Sequence, residues 1–190
     1  MAGFDMGSAW HWARELHERA IGPGARVIDA TLGGGGDTQA LCELVGAEGR
    51  VYGFDIQPDA VRRTRARLDE AGLAGRAELI CASHARMEEY VHEPVDAVLF
   101  NLGWLPGGDK SVTTLTDSTL SAVNAALRLL RPGGLLTICV YPGHAEGARE
   151  LEALLDWAAH LDGRAYQAMA RRYLNQPANT PVLLAVTRIR

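Results

Sequence analysis

Apolar residues along the chain fall into two alternating patterns. Short, nearly continuous apolar runs predict seven strands, around residues 27–28, 50–54, 77–81, 95–100, 135–140, 165–171 and 182–188. Between most of these runs lie longer segments in which apolar side chains recur every three or four residues. These segments predict helices at 9–20, 38–45, 58–71, 85–91, 117–130 and 148–161. The pattern therefore predicts an α/β protein.

The order of these elements predicts how the sheet is built. Strand and helix alternate through five units, which is typical of a doubly wound parallel sheet with helices on both faces. No helix separates the last two strands, so we expect an antiparallel pair at one edge. Two loops follow strands at their carboxyl ends, at residues 103–116 and 141–147. The first is longer than most connections in a compact domain, which makes it a candidate for function.

Four consecutive glycines, Gly33 to Gly36, lie where the first strand meets the next helix. A tight turn here brings backbone N–H groups and a helix N-terminus to the carboxyl end of a strand, where an anionic group can bind. Asp55 ends the second strand twenty positions after Gly35, where Rossmann-type folds hydrogen-bond the ribose of a nucleotide. An ordinary turn would explain the glycines alone, whereas the two features together favour an adenosine-containing cofactor.

Length and composition limit the function classes. The 190 residues predict one domain, residues 1–190, with 1–25 as a helical lead-in. A net charge of −4 gives no overall attraction to nucleic acid or anionic membrane, so RNA binding would need a local patch. No apolar run approaches the roughly 20 residues that span a bilayer, and no signal-peptide core is present, so we expect a cytoplasmic protein. Cys42, Cys81 and Cys139 are expected to be buried thiols rather than a disulfide or metal site.

Lysine occurs once among the nineteen lysine and arginine residues, at Lys110. A coding bias that replaces lysine by arginine wherever charge alone matters could explain the excess of arginine. The position that keeps lysine is then a candidate for a role that needs a compact ammonium group.

Five segments of the chain resemble a known family. They are D-A-T-L-G-G-G-G-D-T at 29–38, F-D-I-Q at 54–57, S-H at 83–84, N-L-G-W-L-P-G-G-D-K-S-V-T-T at 101–114 and Y-P-G-H-A-E-G at 141–147. The pattern resembles the small class I methyltransferases once described as rRNA methylases. That group is associated with the final methylation of 5-aminomethyl-2-thiouridine at the tRNA wobble position. Gly34, Gly36 and Trp104 depart from the pattern, because relatives often carry Asn, His and Tyr there.

The resemblance implies a Rossmann-like fold with a mostly parallel, seven-stranded sheet. It implies S-adenosylmethionine as cofactor, S-adenosylhomocysteine as product and the tRNA anticodon stem-loop as partner. It leaves a homodimer open, and we expect neither a metal nor a membrane. Because the protein is acidic, phosphate contacts would come from local arginines, including Arg171, Arg172, Arg188 and Arg190.

The methionine end of such a cofactor carries a carboxylate and an ammonium group. The helix N-terminus after Gly35 suits the carboxylate, and Asp37 is expected either to accept from the ammonium or to cap the helix. Asp29 is expected either near the ammonium or as a brace of the turn. The other residues expected at the cofactor from this region are Thr31, Gly33, Gly34, Thr38 and Asn101.

The nucleoside end of the cofactor carries a ribose diol and an adenine edge. Asp55 is expected to accept from the ribose hydroxyls, with Gln57 beside it. Ser83 and His84, at the end of the third strand, are expected to meet the adenine edge. For His84 an ordinary surface histidine at a helix start is the alternative.

The N-L-G-W segment resembles the Asn-Pro-Pro-aromatic motif with which many amino-group methyltransferases hold their target. There the Asn oxygen and a backbone carbonyl accept from the target N–H groups, which points the nitrogen lone pair at the methyl group. On this resemblance Asn101 is catalytic, and Gly103 and Trp104 bind the substrate. Tyr141 is expected to hydrogen-bond the amine or to stack on the uridine. Lys110 is expected to meet a phosphate or to close over the cofactor.

An alkylamine must lose a proton before it attacks. His144 lies in the loop after the fifth strand, and a histidine is mostly neutral at pH 7, so it is the candidate proton acceptor. Water is the alternative acceptor. The expected catalytic residues are therefore Asn101, Tyr141 and His144.

Three other functions are compatible with parts of the pattern. A methyltransferase that acts on rRNA or on a small-molecule amine is the nearest alternative, and only a substrate assay separates it. A nicotinamide-dependent oxidoreductase shares the glycine turn, but the Tyr-x-x-x-Lys pair of short-chain dehydrogenases is absent, since Pro106 stands four residues before Lys110. A cofactor-binding module without catalysis would not need polar loops beside Asn101 and His144.

Overall fold

The computed structural model describes residues 5–103 and 113–190. Within them, seven strands form one sheet: β1 (Arg26–Asp29), β2 (Arg50–Asp55), β3 (Ala77–Cys81), β4 (Val95–Asn101), β5 (Leu130–Val140), β6 (Tyr166–Arg171) and β7 (Val182–Arg188). Five α-helices connect or flank them: α1 (Ala9–Ala20), α2 (Gly36–Val45), α3 (Pro58–Glu70), α4 (Thr116–Leu129) and α5 (Ala145–Ala159). Two short 3₁₀ helices, Ala74–Arg76 and His84–Glu89, precede and follow β3.

The strand order is β3-β2-β1-β4-β5-β7-β6. Strands β1 to β5 are mutually parallel, whereas β7 is antiparallel to both β5 and β6. This is the predicted class I methyltransferase sheet with its antiparallel pair at one edge. The chain winds outward from β1 in one direction and from β4 in the other, so a crevice forms at the carboxyl ends of these two strands.

Both faces of the sheet are covered because neighbouring residues of each central strand point to opposite sides. Ile28 faces a core that includes Phe54 and Phe100 and the buried side of α4. Val27 faces a second core that is formed with α2 and α3. Two buried faces hold the central strands rigidly, which fixes the positions of the loops at their ends. Among the described residues, no helix is long and apolar enough to cross a membrane.

Helix α1 packs on the sheet near β5 and β7, beyond the alternating strand–helix units. Its buried side carries Trp12, Ala13 and His17. His17 Nε2 lies 2.7 Å from the hydroxyl of Thr137 on β5, and both side chains are buried. Burial lowers the pKa of His17 to about 4, so this histidine is neutral in the interior and joins α1 to the sheet.

Several predicted boundaries are wrong. The sequence predicts a strand at 135–140, but β5 already begins at Leu130, because Val95 of β4 pairs with Leu130 and Ala97 pairs with Leu135. The extra residues form a bulge in which Gly133 has a φ of 79°. Helix α5 begins at Ala145 rather than 148, and the segment predicted as a helix at 85–91 is the 3₁₀ helix His84–Glu89.

The prediction for the cysteines is correct in two cases out of three. Cys42 and Cys139 are buried, whereas Cys81 is exposed. Cys81 is the last residue of β3, which lies at the edge of the sheet and is covered on fewer sides than the central strands.

Candidate active site

A cavity of about 780 Å³ opens at the carboxyl ends of the parallel strands. It lies where the strand order changes direction, the usual ligand site of doubly wound sheets. Eleven of the residues that the sequence predicts for the site line this cavity: Thr31, Gly33, Gly34, Asp37, Asp55, Gln57, His84, Asn101, Gly103, Tyr141 and His144. The fold thus brings together residues that are up to 113 positions apart in the chain.

The glycine turn forms one wall of the cavity. Gly35 has a φ of 77°, and a Cβ on it would lie 2.9 Å from the Cα of Thr64 on α3, so only glycine fits there. Gly34 and Gly36 have nothing within 4 Å of the place where a Cβ would be, so side chains at these two positions are compatible with the turn. Arg67 of α3 supports the turn from outside, because its Nε donates to the carbonyl of Gly34 at 3.0 Å.

Asp55 connects this turn to the end of β2. One carboxylate oxygen accepts from the backbone N–H of Gly33 at 3.0 Å, and the other accepts from the N–H of Gln57 at 2.9 Å. A carboxylate oxygen has more than one acceptor site, so Asp55 can still accept from a ligand hydroxyl in the cavity. Asp55 therefore lies at the cavity beside the glycine turn, and its contact with a ribose stays a prediction.

Asp29 lies beneath the turn and does not line the cavity. Its carboxylate accepts from the N–H of Thr31 at 3.1 Å and from the hydroxyl of Thr38 at 2.6 Å. Of the two roles expected from the sequence, the structure gives Asp29 the brace of the turn. Complete burial and the nearby charge of Asp37 raise the pKa of Asp29 to about 7, although the two hydrogen bonds oppose the shift. Gly35 and Thr38 likewise lie behind the cavity wall.

Asp37, in the first turn of α2, is held by two donors. Its Oδ1 accepts from the indole Nε1 of Trp10 at 2.7 Å, and its Oδ2 accepts from the amide Nδ2 of Asn101 at 3.1 Å. The residue before α2 is Gly35, and Asp37 does not cap the helix with its side chain. Asp37 therefore joins three elements, α1, α2 and β4, at the cavity.

Asn101, the last residue of β4, is fixed through both its backbone and its side chain. Its backbone N–H donates to the hydroxyl of Thr31 at 2.7 Å, and its side-chain amide donates to Asp37. The side-chain Oδ1 is buried and has no hydrogen-bond partner among the described residues. Burial raises the pKa of Tyr141 to about 12, whereas a hydrogen bond from the Asn101 side chain lowers it. A bond that lowers the pKa of a phenol is donated to its oxygen, so it comes from the amide nitrogen and leaves Oδ1 unpaired. Tyr141 is therefore a neutral phenol at physiological pH.

His84 and Ser83, predicted at the adenine edge, are placed differently from each other. His84 is buried and lines the cavity, with Nδ1 at 3.1 Å from the carbonyl of Ala30 and Nε2 lacking a partner among the described residues. Burial lowers its pKa, which favours the neutral ring. Because the carbonyl of Ala30 can only accept, Nδ1 carries the proton and Nε2 presents a lone pair to the cavity. Ser83 does not line the cavity. Its hydroxyl accepts from the N–H of Ala85 at 3.2 Å and caps the 3₁₀ helix.

His144 caps helix α5. Its Nδ1 accepts from the backbone N–H of Gly147 at 3.2 Å, as an N-cap side chain does. In the neutral ring this bond places the proton on Nε2, so Nδ1 is engaged and Nε2 already carries hydrogen. A Cβ on Gly147 would clash with the carbonyl of Tyr141, so glycine is needed for this close approach. The ring is at the cavity, but its acceptor nitrogen is occupied by the helix.

The predicted substrate residues Trp104 and Lys110 lie outside the described residues. The residues on either side of that segment are held together. The N–H of Gly103 donates to the hydroxyl of Thr114 at 3.1 Å, and the N–H of Thr114 donates to the carbonyl of Gly103 at 3.2 Å. The described residues on either side of 104–112 are therefore in contact, two positions after Asn101.

Two residues of the cavity wall come from a helix for which the sequence predicts no role in the site. Trp10 and Arg14, both on α1, line the cavity, and the guanidinium of Arg14 lies 5.2 Å from the centre of the Trp10 ring. Trp10 lies beside the buried side of α1 rather than on it. A large aromatic residue at that position of an amphipathic helix is the sequence feature that could have indicated a role in the site. The contact could not be derived from the sequence because it depends on how α1 packs against β5.

The volume of the cavity is within the range of small-molecule and cofactor sites. Buried polar atoms without partners among the described residues include His84 Nε2, Asn101 Oδ1 and Thr113 Oγ1, and all three residues line the cavity. Unpaired buried polar atoms are costly, so a site that concentrates them is suited to a ligand that pairs them. Within residues 5–103 and 113–190, no three His, Cys, Asp or Glu side chains cluster as a metal site would require.

Comparisons with known proteins agree with this architecture. Residues 51–187 match the sequence profile of the family described as "Putative rRNA methylase". A protein of Arabidopsis thaliana named "tRNA (mnm(5)s(2)U34)-methyltransferase, chloroplastic" is 42% identical over 193 residues, which cover 95% of this chain and 69% of that protein.

Two solved structures cover nearly the whole chain. A crystal structure described as a putative rRNA-methylase from Clostridium thermocellum has a TM-score of 0.96 and 35% identity, covering 98% of this chain and 100% of that one. A putative methyltransferase from Streptococcus mutans in complex with SAH has a TM-score of 0.88 and 31% identity, covering 97% and 99%. The profile match, the overall identity and the shared sheet make this chain a member of that family of S-adenosylmethionine-dependent class I methyltransferases.

Proposed function

We propose that the protein methylates the aminomethyl nitrogen of 5-aminomethyl-2-thiouridine at the wobble position of tRNA, with S-adenosylmethionine as donor. The observation that carries this proposal is Asn101 Oδ1, a buried acceptor without a partner among the described residues, on a residue that lines the cavity. The name of the 42% identical plant relative supports the choice of tRNA and of this nucleoside.

The residues that would hold the cofactor are distributed along the cavity wall. The turn at Gly33 and Gly34 leads into the N-terminus of α2 and suits a carboxylate. Asp55 suits a ribose diol, and His84 Nε2 suits the edge of an adenine ring. When bound, S-adenosylmethionine supplies an electrophilic methyl group on a sulfonium. Asp29 braces this wall from beneath and takes no direct part.

The residues that would handle the amine line the same cavity, next to the cofactor wall, because Asn101 is hydrogen-bonded to Thr31 and Asp37. Asn101 Oδ1 accepts from an N–H of the amine and so directs the nitrogen lone pair. The phenol of Tyr141 stays protonated and can donate to or accept from the amine. Because His144 Nδ1 already accepts from Gly147, we assign the departing proton to water rather than to His144.

Apart from Lys110, phosphate contacts would come from arginines, and the structure changes which arginines are suited. Arg188 donates to the carbonyls of Leu130 and Arg190, so its guanidinium is engaged within the chain. Arg171 stacks over Trp12 at 4.3 Å and pairs with Glu15 at 3.7 Å. Arg14 is at the cavity, with 48% of its side chain exposed, and pairs only loosely with Glu18 at 3.8 Å. We therefore add Arg14 to the candidate RNA contacts.

The experiment that tests this function is complementation followed by nucleoside mass spectrometry. A bacterial strain that lacks its own enzyme for this step accumulates 5-aminomethyl-2-thiouridine in tRNA. Expression of this chain should convert that nucleoside to 5-methylaminomethyl-2-thiouridine, and expression of the Asn101→Ala variant should not. Persistence of the unmethylated nucleoside, with methyl groups found instead in rRNA, would support the rRNA alternative. The plant relative is named as chloroplastic, so the cytoplasmic location stays a prediction, as does the homodimer.

A further inference from the structure

The carboxylate of Asp37 makes two hydrogen bonds to side chains that are distant in sequence. Trp10 is 27 positions before it and donates to Oδ1 at 2.7 Å, and Asn101 is 64 positions after it and donates to Oδ2 at 3.1 Å. An ionised carboxylate is only an acceptor, so both partners must turn their N–H groups towards it. Asp37 therefore dictates which end of the Asn101 amide faces it.

This constraint determines what Asn101 offers to the cavity. With Nδ2 held by Asp37, Oδ1 occupies the other position of the planar amide, where it is buried and unpaired within the described part of the chain. The backbone of Asn101 is fixed separately, because its N–H donates to Thr31 Oγ1 at 2.7 Å. Rotation of the amide by half a turn would leave the backbone unchanged but would replace an acceptor by a donor.

We propose that Asp37, itself oriented by Trp10, is a positioning residue that keeps the Asn101 oxygen available for the target amine. The effect of Asp37 on methyl transfer rests on the proposed function, whereas the orientation of the Asn101 side-chain amide does not depend on it. This role is distinct from that of a counter-charge for the cofactor ammonium, which the remaining acceptor sites of the same carboxylate could still provide. It also makes α1 part of the active site through Trp10.

Exchanging the side chains of Asp37 and Asn101 reverses the direction of the hydrogen bond between them and so tests the proposal. In Asp37→Asn, the amide oxygen at position 37 still accepts from Trp10, so its NH₂ group faces Asn101. Asn101 must then turn its oxygen towards position 37 and its NH₂ group into the site. In Asn101→Asp, two carboxylates face each other and can share a proton, so the activity relative to that of the parent should rise as the pH falls. The double variant restores a donor–acceptor pair with a carboxylate oxygen in the site.

The first readout is thermal unfolding of the four cofactor-free proteins, arranged as a double-mutant cycle. The double variant should be more stable than the sum of the single changes predicts. This measurement requires no methyl transfer, and additivity of the two changes would overturn the proposed pair whatever the activity. A positive coupling in a protein that does not methylate tRNA would leave the pair supported and would overturn the proposed substrate.

The second readout separates positioning from cofactor binding. In Asp37→Asn, kcat should fall roughly a hundredfold, as when one preorganised hydrogen-bonding group is lost. The Kd for S-adenosylhomocysteine, measured by calorimetry, should change less than about threefold, and the double variant should recover at least about tenfold in kcat. A large rise in Kd with little change in kcat would overturn the proposal in favour of a counter-charge role. Asp59→Asn is the matched control, because Asp59 is an exposed acid in the first turn of α3 that pairs with Arg62.

Discussion

The hydroxyl of Thr114 donates to the buried carboxylate of Glu150 at 2.8 Å, which ties the loop after Asn101 to helix α5. Thr119 donates to the other oxygen of Glu150 at 2.7 Å, so both carboxylate oxygens are used. Since α5 begins next to His144, one helix positions the far end of the loop and also one wall of the cavity. A buried acid far from the chemistry therefore supports the geometry of the substrate side.

Substitution of Glu150 should separate hydrogen bonding from charge. Burial raises the pKa of Glu150, so the site tolerates a neutral group, and Glu150→Gln can still accept from Thr114 and donate to Thr119. We expect this variant to keep its stability and its KM for tRNA. Glu150→Leu removes the acceptor of both hydroxyl protons and should lose about 1–3 kcal/mol in unfolding free energy, with a higher KM for tRNA. Steady-state kinetics measure the KM of both variants, and thermal unfolding measures their stability. Equal behaviour of the two variants would contradict the hydrogen-bonding role assigned to Glu150.

The pH dependence of stability should report on Asp29. Its pKa is raised from 3.8 to about 7, so the folded chain holds this proton more tightly than the unfolded chain. Stability from this group is therefore present below pH 3.8 and is lost as the pH rises through about 7. Asp29→Asn can accept from Thr31 and donate to Thr38, so it keeps both contacts without titrating. Calorimetry of the cofactor-free proteins should show a melting temperature that falls from pH 5 to pH 8 more steeply in the parent than in the variant. Parallel curves would be evidence against a raised pKa.

Two neighbouring glycines of the turn should respond differently to alanine. Gly35→Ala places a side chain in a left-handed conformation and within 2.9 Å of Thr64 Cα. We expect a loss of about 2–5 kcal/mol, from about 1–2 for the conformation and about 1–3 for overpacking. Gly34→Ala meets nothing within 4 Å and serves as the control, with little change in the free energy of unfolding. Chemical denaturation measures both, and similar losses would contradict the geometry of the turn.

His144 can be tested as a helix cap and as a base in one variant. Asparagine is among the best N-cap residues, so His144→Asn should keep the bond to Gly147 and the stability of α5, whereas His144→Ala should lose about 0.5–2 kcal/mol. If water accepts the proton, kcat of His144→Asn and its pH profile should stay close to those of the parent. A fall of about a hundredfold in kcat, at unchanged stability and cofactor affinity, would restore His144 as the base.

The sequence predicts the sheet well, and most of the residues that it predicts for the cofactor line the cavity, because both depend on local patterns. Alternation of strands and helices determines the parallel core, and the spacing between the glycine turn and Asp55 reflects one β-α-β unit. The position of Asn101 at the site is predicted from a sequence motif at the end of a strand. In each case the informative residues are close in the chain or at equivalent ends of strands.

The remaining features depend on packing between distant elements. Trp10 reaches Asp37 only because α1 docks on the sheet, and His144 is engaged only because α5 begins three residues earlier than predicted. Ser83 turns away from the cavity to cap the 3₁₀ helix that starts directly after it. Each of these outcomes requires the tertiary arrangement, which short-range periodicity does not contain.

The proposed methylation of tRNA can be measured directly as methyl transfer from labelled S-adenosylmethionine to a synthetic anticodon stem-loop. The stem-loop carries 5-aminomethyl-2-thiouridine at the wobble position, and its nucleosides are separated after the reaction. We predict that the purified protein places the label in 5-methylaminomethyl-2-thiouridine and that Asn101→Ala does not. If calorimetry shows that the protein binds S-adenosylhomocysteine but no label appears in that nucleoside, the proposed substrate is contradicted.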